Sequence, residues 1–470
     1  MISARARCCS TVAIVSLVTL FVAAAPPANS SLGRIVEPST DVAASAPAPL
    51  HLVSTTVKGP RLTELEFSTP YLPRTTRVRV LTPVGYDDDP GRRWPVLLLL
   101  AGCCDDTAVS EVSYAGWTDQ GNAEEITQPG QFLVVMPAGG AGGWYSDHYG
   151  LVGEGGPRWE SYHIGQLLPW VDSHYRTTPA RDARAVAGLS MGGFGALSYA
   201  ARHPDVFSFV QSYSGAVDPT QQQWYFPVPT GEVDQALGVA EGRPPSSVWG
   251  PWATEEVRTR AHAPIDLVGN LRHTDVTLRV GDGTDGRGNT VDRVEASEQS
   301  QNNLLHEALT RAAIPHTYDA YGAGTHSWEF WSRDLEQAIE PLNAHFSSVA
   351  RGTPASFSYT WAEESASVYG YELQSDRGFL EFATLDVSPG QIGVTGSGVF
   401  TITTPAQYTP RSPYRLTATR SGRTEETIVV ADTAGRLSLR IDTASRSTGQ
   451  EYRPSSATRK AQVQISLRPQ

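Results

Sequence analysis

The stretch Val186-Ala187-Gly188-Leu189-Ser190-Met191-Gly192-Gly193-Phe194-Gly195 limits the folds open to this chain more than any other. Small, β-compatible residues run into a Gly-x-Ser-x-Gly core, and Ala196 to His203 continues as a helix stopped by Pro204. A serine on so tight a strand-to-helix turn takes a strained backbone. Glycines two before and two after it, here Gly188 and Gly192, remove the Cβ atoms that would collide with strand and helix. The strain pushes the hydroxyl out over the carboxyl edge of a sheet, where the helix N-terminus faces any negative charge that forms. Ser190 is therefore a candidate nucleophile, and the Met191 N–H a candidate oxyanion donor. The same pentapeptide spacing arises without chemistry in glycine-rich loops, and the flanking strand and helix distinguish this one.

The rest of the chain supplies the sheet that such a turn needs. Val53–Val57, Leu62–Phe67 and Thr76–Leu81 approximately alternate apolar and polar residues, as half-buried antiparallel strands do, and are expected to form the outer edge of a sheet. Trp94–Leu100, Phe132–Pro137, the run into Ser190, Phe207–Ser214 and Val276–Gly281 are apolar with little alternation, as expected when helices cover both faces. Helical stretches such as Ile164–Val171 and Asn303–Ala313 lie between them, so strand and helix alternate and predict a mainly parallel α/β sheet. From Val349 onward the pattern changes to short runs between Gly, Pro, Ser and Asp: Phe357–Tyr359, Leu380–Phe382, Val399–Ile402, Arg415–Ala418, Thr427–Val430 and Leu437–Ile441. These predict a small all-β, sandwich-like domain over 349–470, a structural or binding accessory to an α/β domain over 52–348.

Arg5 and Arg7, the apolar run Val12–Ala24 and the small residues up to Ser30 read as a secretory signal over 1–30. Residues 31–51, rich in Ala, Pro and Ser, read as a flexible lead-in. The expected protein is exported, to the medium or the cell envelope. Cys8 and Cys9 would leave with the signal, so the mature chain keeps only Cys103 and Cys104 and is no disulfide-stapled scaffold. A formal charge of −12 argues against nucleic acid as a partner. No metal-ligand spacing or nucleotide-binding loop occurs, so no cofactor is expected.

A nucleophilic serine needs a base, and a buried acid to orient that base. His326 lies in the Gly-flanked loop Gly322–Trp328, after a strand through His316–Tyr321 and before a helix start. The stretch beyond Gly281 offers Asp282, Asp285, Asp292, Glu295 and Glu298 as acids, and spacing leaves the choice among them open. Trp117, Tyr145, Trp159 and Trp328 are candidates to line a pocket for an acyl chain or a sugar ring, although aromatic residues around a sheet edge serve as core at least as often.

From about Arg61 to Phe346 the chain resembles the antigen-85 mycolyltransferases and related members of the esterase D-like α/β-hydrolases. The resemblance rests on Val134-Val135-Met136-Pro137, Trp144-Tyr145-Ser146-Asp147, Trp159-Glu160, Gly188-Leu189-Ser190-Met191, Trp249-Gly250-Pro251, Gly281-Asp282-Gly283-Thr284 and Gly324-Thr325-His326-Ser327-Trp328. It implies an α/β-hydrolase fold and a serine esterase or acyltransferase. By position it makes Glu295 the triad acid, ahead of Glu298 and Asp285, and the Cys103 N–H the second oxyanion donor. It implies an ester or acyl-lipid substrate and a sugar as candidate acceptor; for the C-terminal domain, outside the resemblance, binding of envelope carbohydrate is the alternative to a purely structural role. Two departures stand out. The aspartate and arginine that flank the oxyanion loop in trehalose-handling members correspond to Ala101 and Cys104, and their disulfide loop before Trp159 is replaced by Gly153-Glu154-Gly155-Gly156. The competing expectation is a non-catalytic envelope-binding protein on the same fold.

Overall fold

The computed structural model describes residues 34–39, 49–103, 113–150, 156–221, 246–348, 350–453 and 456–470. The expected signal, most of the expected lead-in, Cys104 and Gly153–Gly155 lie outside the described residues.

Ten strands precede the C-terminal region: β1 (Val36–Pro38), β2 (His51–Val57), β3 (Leu62–Ser68), β4 (Thr76–Leu81), β5 (Val96–Leu100), β6 (Leu133–Pro137), β7 (Arg184–Leu189), β8 (Phe209–Tyr213), β9 (Asp275–Val280) and β10 (His316–Ala320). Nine of them form one sheet in the order β10-β9-β8-β7-β5-β6-β4-β3-β2. Pairing is parallel from β10 to β6 and antiparallel from β6 to β2. Every residue of β5, β6 and β8 is buried, which explains why these strands do not alternate. On β5, Val96, Leu98 and Leu100 pack with the helix Met191–Arg202, through Phe194, Leu197 and Ala201. Leu97 and Leu99 pack on the opposite face with Leu335, Ala338 and Leu342 of the helix Trp328–Ser347. Each such leucine contributes roughly 2 kcal/mol by leaving water. The apolar centre therefore holds the carboxyl ends of β5 and β7 to β10 along one edge.

The C-terminal region holds β11 (Phe357–Trp361), β12 (Ser365–Val368), β13 (Tyr371–Asp376), β14 (Ala383–Ser388), β15 (Gln391–Gly396), β16 (Val399–Thr403), β17 (Pro413–Arg420), β18 (Arg423–Val430), β19 (Ser438–Asp442) and β20 (Ala461–Pro469). They make two antiparallel sheets, β1-β19-β16-β13-β12 and β11-β14-β15-β20-β17-β18, around a core that includes Phe400, Leu385, Leu416, Ile441 and Val463.

Three expectations are corrected. The lead-in is not free of structure: Val36–Pro38 pairs with Leu439–Ile441 at the edge of the C-terminal sheet, and Ile35 is fully buried in that core. Two apolar residues suffice to add an edge strand, but not to display a period. Leu380–Phe382 is not a strand; Phe382 turns away from the sandwich and joins the core of the α/β sheet, with Leu380 packed beside it. β2 alternates in composition, yet all seven of its residues are exposed, because it is the outermost strand. Among the described residues no helix is long and apolar enough to cross a membrane.

Candidate active site

β7 delivers Ser190 at its carboxyl end, with φ 54° and ψ −122°, a region that disfavours a residue with a side chain. The strain is held from three sides. The Ser190 N–H donates to the Tyr213 carbonyl at 2.9 Å, while its own carbonyl accepts from Phe194 at 3.1 Å and from Ala216 at 3.3 Å. The flanking glycines are required by packing. A Cβ on Gly188 would stand 2.3 Å from the Gly192 carbonyl oxygen, and one on Gly192 2.5 Å from those of Leu100 and Ala101.

Glu295 sits in the first turn of the helix Arg293–Arg311 and is fully buried. Its Oε2 lies 2.8 Å from His326 Nδ1, and its Oε1 accepts from Ser214 Oγ at 2.8 Å and from the Gly281 N–H at 2.6 Å. Ser214 and Gly281 directly follow β8 and β9, and His326 lies in the loop after β10, so three neighbouring strands deliver the groups around one carboxylate. The loop after β9 is joined to that after β10 by Asp282 N–H to Gly322 O at 2.8 Å and Gly283 N–H to Gly324 O at 2.9 Å. Asp292 caps the helix, accepting from the Val294 and Glu295 N–H groups through Oδ1, and its Oδ2 accepts the His326 N–H at 2.8 Å. The imidazole packs perpendicular to the Trp331 ring, with centroids 4.9 Å apart.

The other acids go elsewhere. Asp285 is exposed and closes its own loop onto Arg287 and Asn289. Glu298 is buried one turn along the helix from Glu295. Ser214 was missed by sequence reasoning. Its one signal is the Ser-Tyr-Ser-Gly run at the end of β8, and its positive φ of 46° is invisible in sequence.

Met191 opens the helix after Ser190. Gly102, the residue before Cys103, lies against the serine, since a Cβ there would stand 3.3 Å from that of Ser190. Cys103 is half-buried and disulfide-bonded. The expected pocket aromatics separate into two kinds. Trp117, Tyr145 and Trp159 are buried. Trp117 Nε1 donates to the Leu100 carbonyl at 3.0 Å and Tyr145 OH to the Ala101 carbonyl at 2.8 Å, while Trp159 stacks on His163. Trp328 is half-buried two residues after His326, its ring edge-on to Trp117 and Trp331.

A separate polar cleft of about 760 Å³ opens at the far end of the Ser190 helix, lined by Glu160, Arg202, His203, His262 and, from the C-terminal region, Glu363 and Gln374. Among the described residues no group of three or more His, Cys, Asp or Glu side chains is placed to hold a metal ion.

The Esterase family model matches residues 69–342, more than half of the chain. Esterase Rv1288 of Mycobacterium tuberculosis is 31% identical over 296 residues, 62% of this chain and 62% of that protein, so the chain spans less than two thirds of that relative's length. The diacylglycerol acyltransferase/mycolyltransferase Ag85A of Mycobacterium leprae is 29% identical over 277 residues, 54% of this chain and 76% of that protein. Among solved structures, MPT51 of Mycobacterium tuberculosis aligns with a TM-score of 0.48 at 21% identity, over 59% of this chain and 96% of that one.

Proposed function

The chain belongs to the Esterase family, with an α/β-hydrolase fold, and from that premise we propose a serine carboxylic-ester hydrolase or acyltransferase working through an acyl-serine. The observation that carries the reading is the 2.8 Å contact between buried Glu295 and His326, on the sheet edge that also bears strained Ser190. His326 takes the Ser190 hydroxyl proton as Oγ attacks the ester carbonyl. Glu295 holds Nδ1 and stabilises the imidazolium. The Met191 and Cys103 N–H groups receive the oxyanion. Collapse expels the alcohol, protonated by His326, and leaves the acyl group on Ser190. Water or an acceptor alcohol, deprotonated by the same histidine, then releases it.

The substrate is an ester of an acyl chain, and a sugar hydroxyl is the candidate acceptor, as the mycolyltransferase name of one relative suggests. The Ala101 and Cys104 positions make a trehalose acceptor a poor expectation. An N-terminal signal over 1–30 would export the protein, and the C-terminal region is a domain carried with the enzyme, with envelope carbohydrate as its candidate ligand.

The test is p-nitrophenyl butyrate turnover by the mature protein and its Ser190→Ala variant, with and without a sugar acceptor, together with fluorophosphonate labelling. The expected result is turnover and labelling that both vanish in the variant, with free acid and acylated sugar measured separately. Neither turnover nor labelling in the wild type would overturn the reading in favour of a binding protein on this fold.

A further inference from the structure

We propose that Tyr145, seconded by Trp117, is a positioning residue that holds the oxyanion loop in register with the serine elbow. The inference rests on the acyl-serine reading and deepens it.

The argument starts where β5 ends. The last β5 residue in register with β7 is Leu100, opposite Gly188, and the chain then leaves the sheet toward Cys103. The carbonyls of Leu100 and Ala101 are turned into the protein at this exit, and buried carbonyls require donors. Side chains supply them on consecutive residues: Trp117 Nε1 to Leu100 at 3.0 Å, and Tyr145 OH to Ala101 at 2.8 Å. The next peptide carries the Cys103 N–H. The same two carbonyl oxygens are also the atoms that Gly192 touches, each 2.5 Å from where its Cβ would be. Loop and elbow helix therefore bear on one another at the atoms that the two aromatics hold. Clamping these carbonyls sets the Cys103 N–H relative to the Met191 N–H.

Tyr145 is itself built in. It is buried, with φ 49°, and its ring lies where Cβ atoms on Gly139 and Gly195 would approach within 2.6 Å and 2.4 Å. Burial raises its phenol well above the ordinary value, so the hydroxyl stays a donor at any working pH. A side chain serving only as filler needs no hydroxyl aimed at one carbonyl.

Tyr145→Phe keeps the ring and removes the donor. A displacement of the oxyanion donor by a fraction of an ångström acts on the transition state and not on ground-state binding. The expected result is a kcat lowered by about 10- to 100-fold with KM within about twofold, per fluorophosphonate-titrated site. The decisive readout is the rate ratio of p-nitrophenyl butyrate to its thionoester, whose sulfur is a poor hydrogen-bond acceptor. The ratio should fall in Tyr145→Phe, and to a smaller extent in Trp117→Phe, which serves alone if the tyrosine variant does not fold. A structural defect would lower both rates together and leave the ratio unchanged, and that outcome overturns the proposal while the acyl-serine reading survives. A wild type that fluorophosphonate does not label overturns both.

Discussion

The helix that begins at Ser190 ends twelve residues later at Arg202, about 18 Å away, and each end carries a buried glutamate on a histidine. At the first end Glu295 lies 2.8 Å from His326, and at the second Glu160 lies 2.7 Å from His203. What differs is the company of the carboxylate. Among the described residues, Glu295 Oε1 receives neutral donors, the Ser214 hydroxyl and the Gly281 N–H. Glu160 also receives Arg202 Nε at 2.9 Å, with His262 at 3.8 Å, and Arg202 reaches Glu363 in the C-terminal region at 2.6 Å. Burial pushes the Glu160 carboxyl up, but Arg202, His203 and His262 outweigh it and hold the group well below the carboxylate range. A guanidinium already pairs with Glu160, whereas the bonds that reach Glu295 Oε1 come from uncharged groups. A glutamate–histidine contact is thus no signature of catalysis by itself. Here one pair lies on the sheet edge that also bears a strained serine, and the other, through Arg202 and Glu363, fastens the C-terminal region to the helix.

Glutamine at each position breaks the comparison most sharply. Glu295→Gln should cost about 10³- to 10⁴-fold in kcat with little change in stability, since it leaves the base without its charged partner. Glu160→Gln should instead leave kcat per titrated site within about threefold, and lower stability by about 3–5 kcal/mol, because Arg202 loses a buried partner. Urea melts and initial rates on both proteins check the pair of outcomes. A folded Glu160→Gln protein without turnover would reverse the assignment.

The two ends should also respond differently to acid. Burial, and then the Arg202 guanidinium, push His262 down to about 4 from an unfolded value near 6.5. A depressed histidine contributes stability that is complete above the unfolded pKa and is lost as pH falls from about 6.5 through about 4, up to about 3 kcal/mol. Burial holds His163 down to about 3, adding the same sign, while Asp266 and Asp334, raised by burial to about 6, oppose it. The depressed Glu160 and Glu363 act only below the ordinary carboxylate range, a separate and lower window. The His262 part is therefore isolated by difference. Urea melts at pH 7.5 and 5, on wild type and His262→Gln, should show a shallower loss in the variant. Parallel losses would place the acid sensitivity away from this seam.

What was legible in the sequence was local. Gly188, Ser190 and Gly192 announce a turn whose constraints lie within five residues, and the buried strands announce themselves because both of their faces are covered. The glycine-flanked loop that carries His326, between a strand and a helix start, was readable as well. Spacing could not separate the carboxylates, because what sets Glu295 apart from Asp285 or Glu298 is that it faces the ends of β8, β9 and β10 together, and only the resemblance singled it out. Tyr145 and Trp117 show the same limit. Their size marks them as important, but only the structure shows that their polar atoms turn inward to carbonyls and not outward to a ligand. Ile35 and Phe382 were misread because each packs against a core from which the flanking pattern excludes it.

The smallest expected effect sharpens the choice of acid. Asp285 stands in the same post-β9 segment, and many hydrolases would use a carboxylate there, yet its oxygens are already committed. Oδ1 accepts the Arg287 N–H at 2.9 Å and the Asn289 N–H at 3.2 Å, and Oδ2 accepts Asn289 Nδ2 at 2.9 Å. These bonds, the Asn289 side chain foremost, lower its pKa in an exposed loop. Asparagine keeps an acceptor at Oδ1 and loses the charge and the Oδ2 acceptor of the Asn289 side chain, both in an exposed loop, so Asp285→Asn should hold kcat/KM within about twofold of wild type. Measured beside Glu295→Gln, it asks whether position after β9 or burial against His326 makes the acid. A loss approaching that of Glu295→Gln, in a protein that still titrates with fluorophosphonate, would mean that the 284–290 loop swings onto the histidine during turnover and that the buried pair is a resting arrangement.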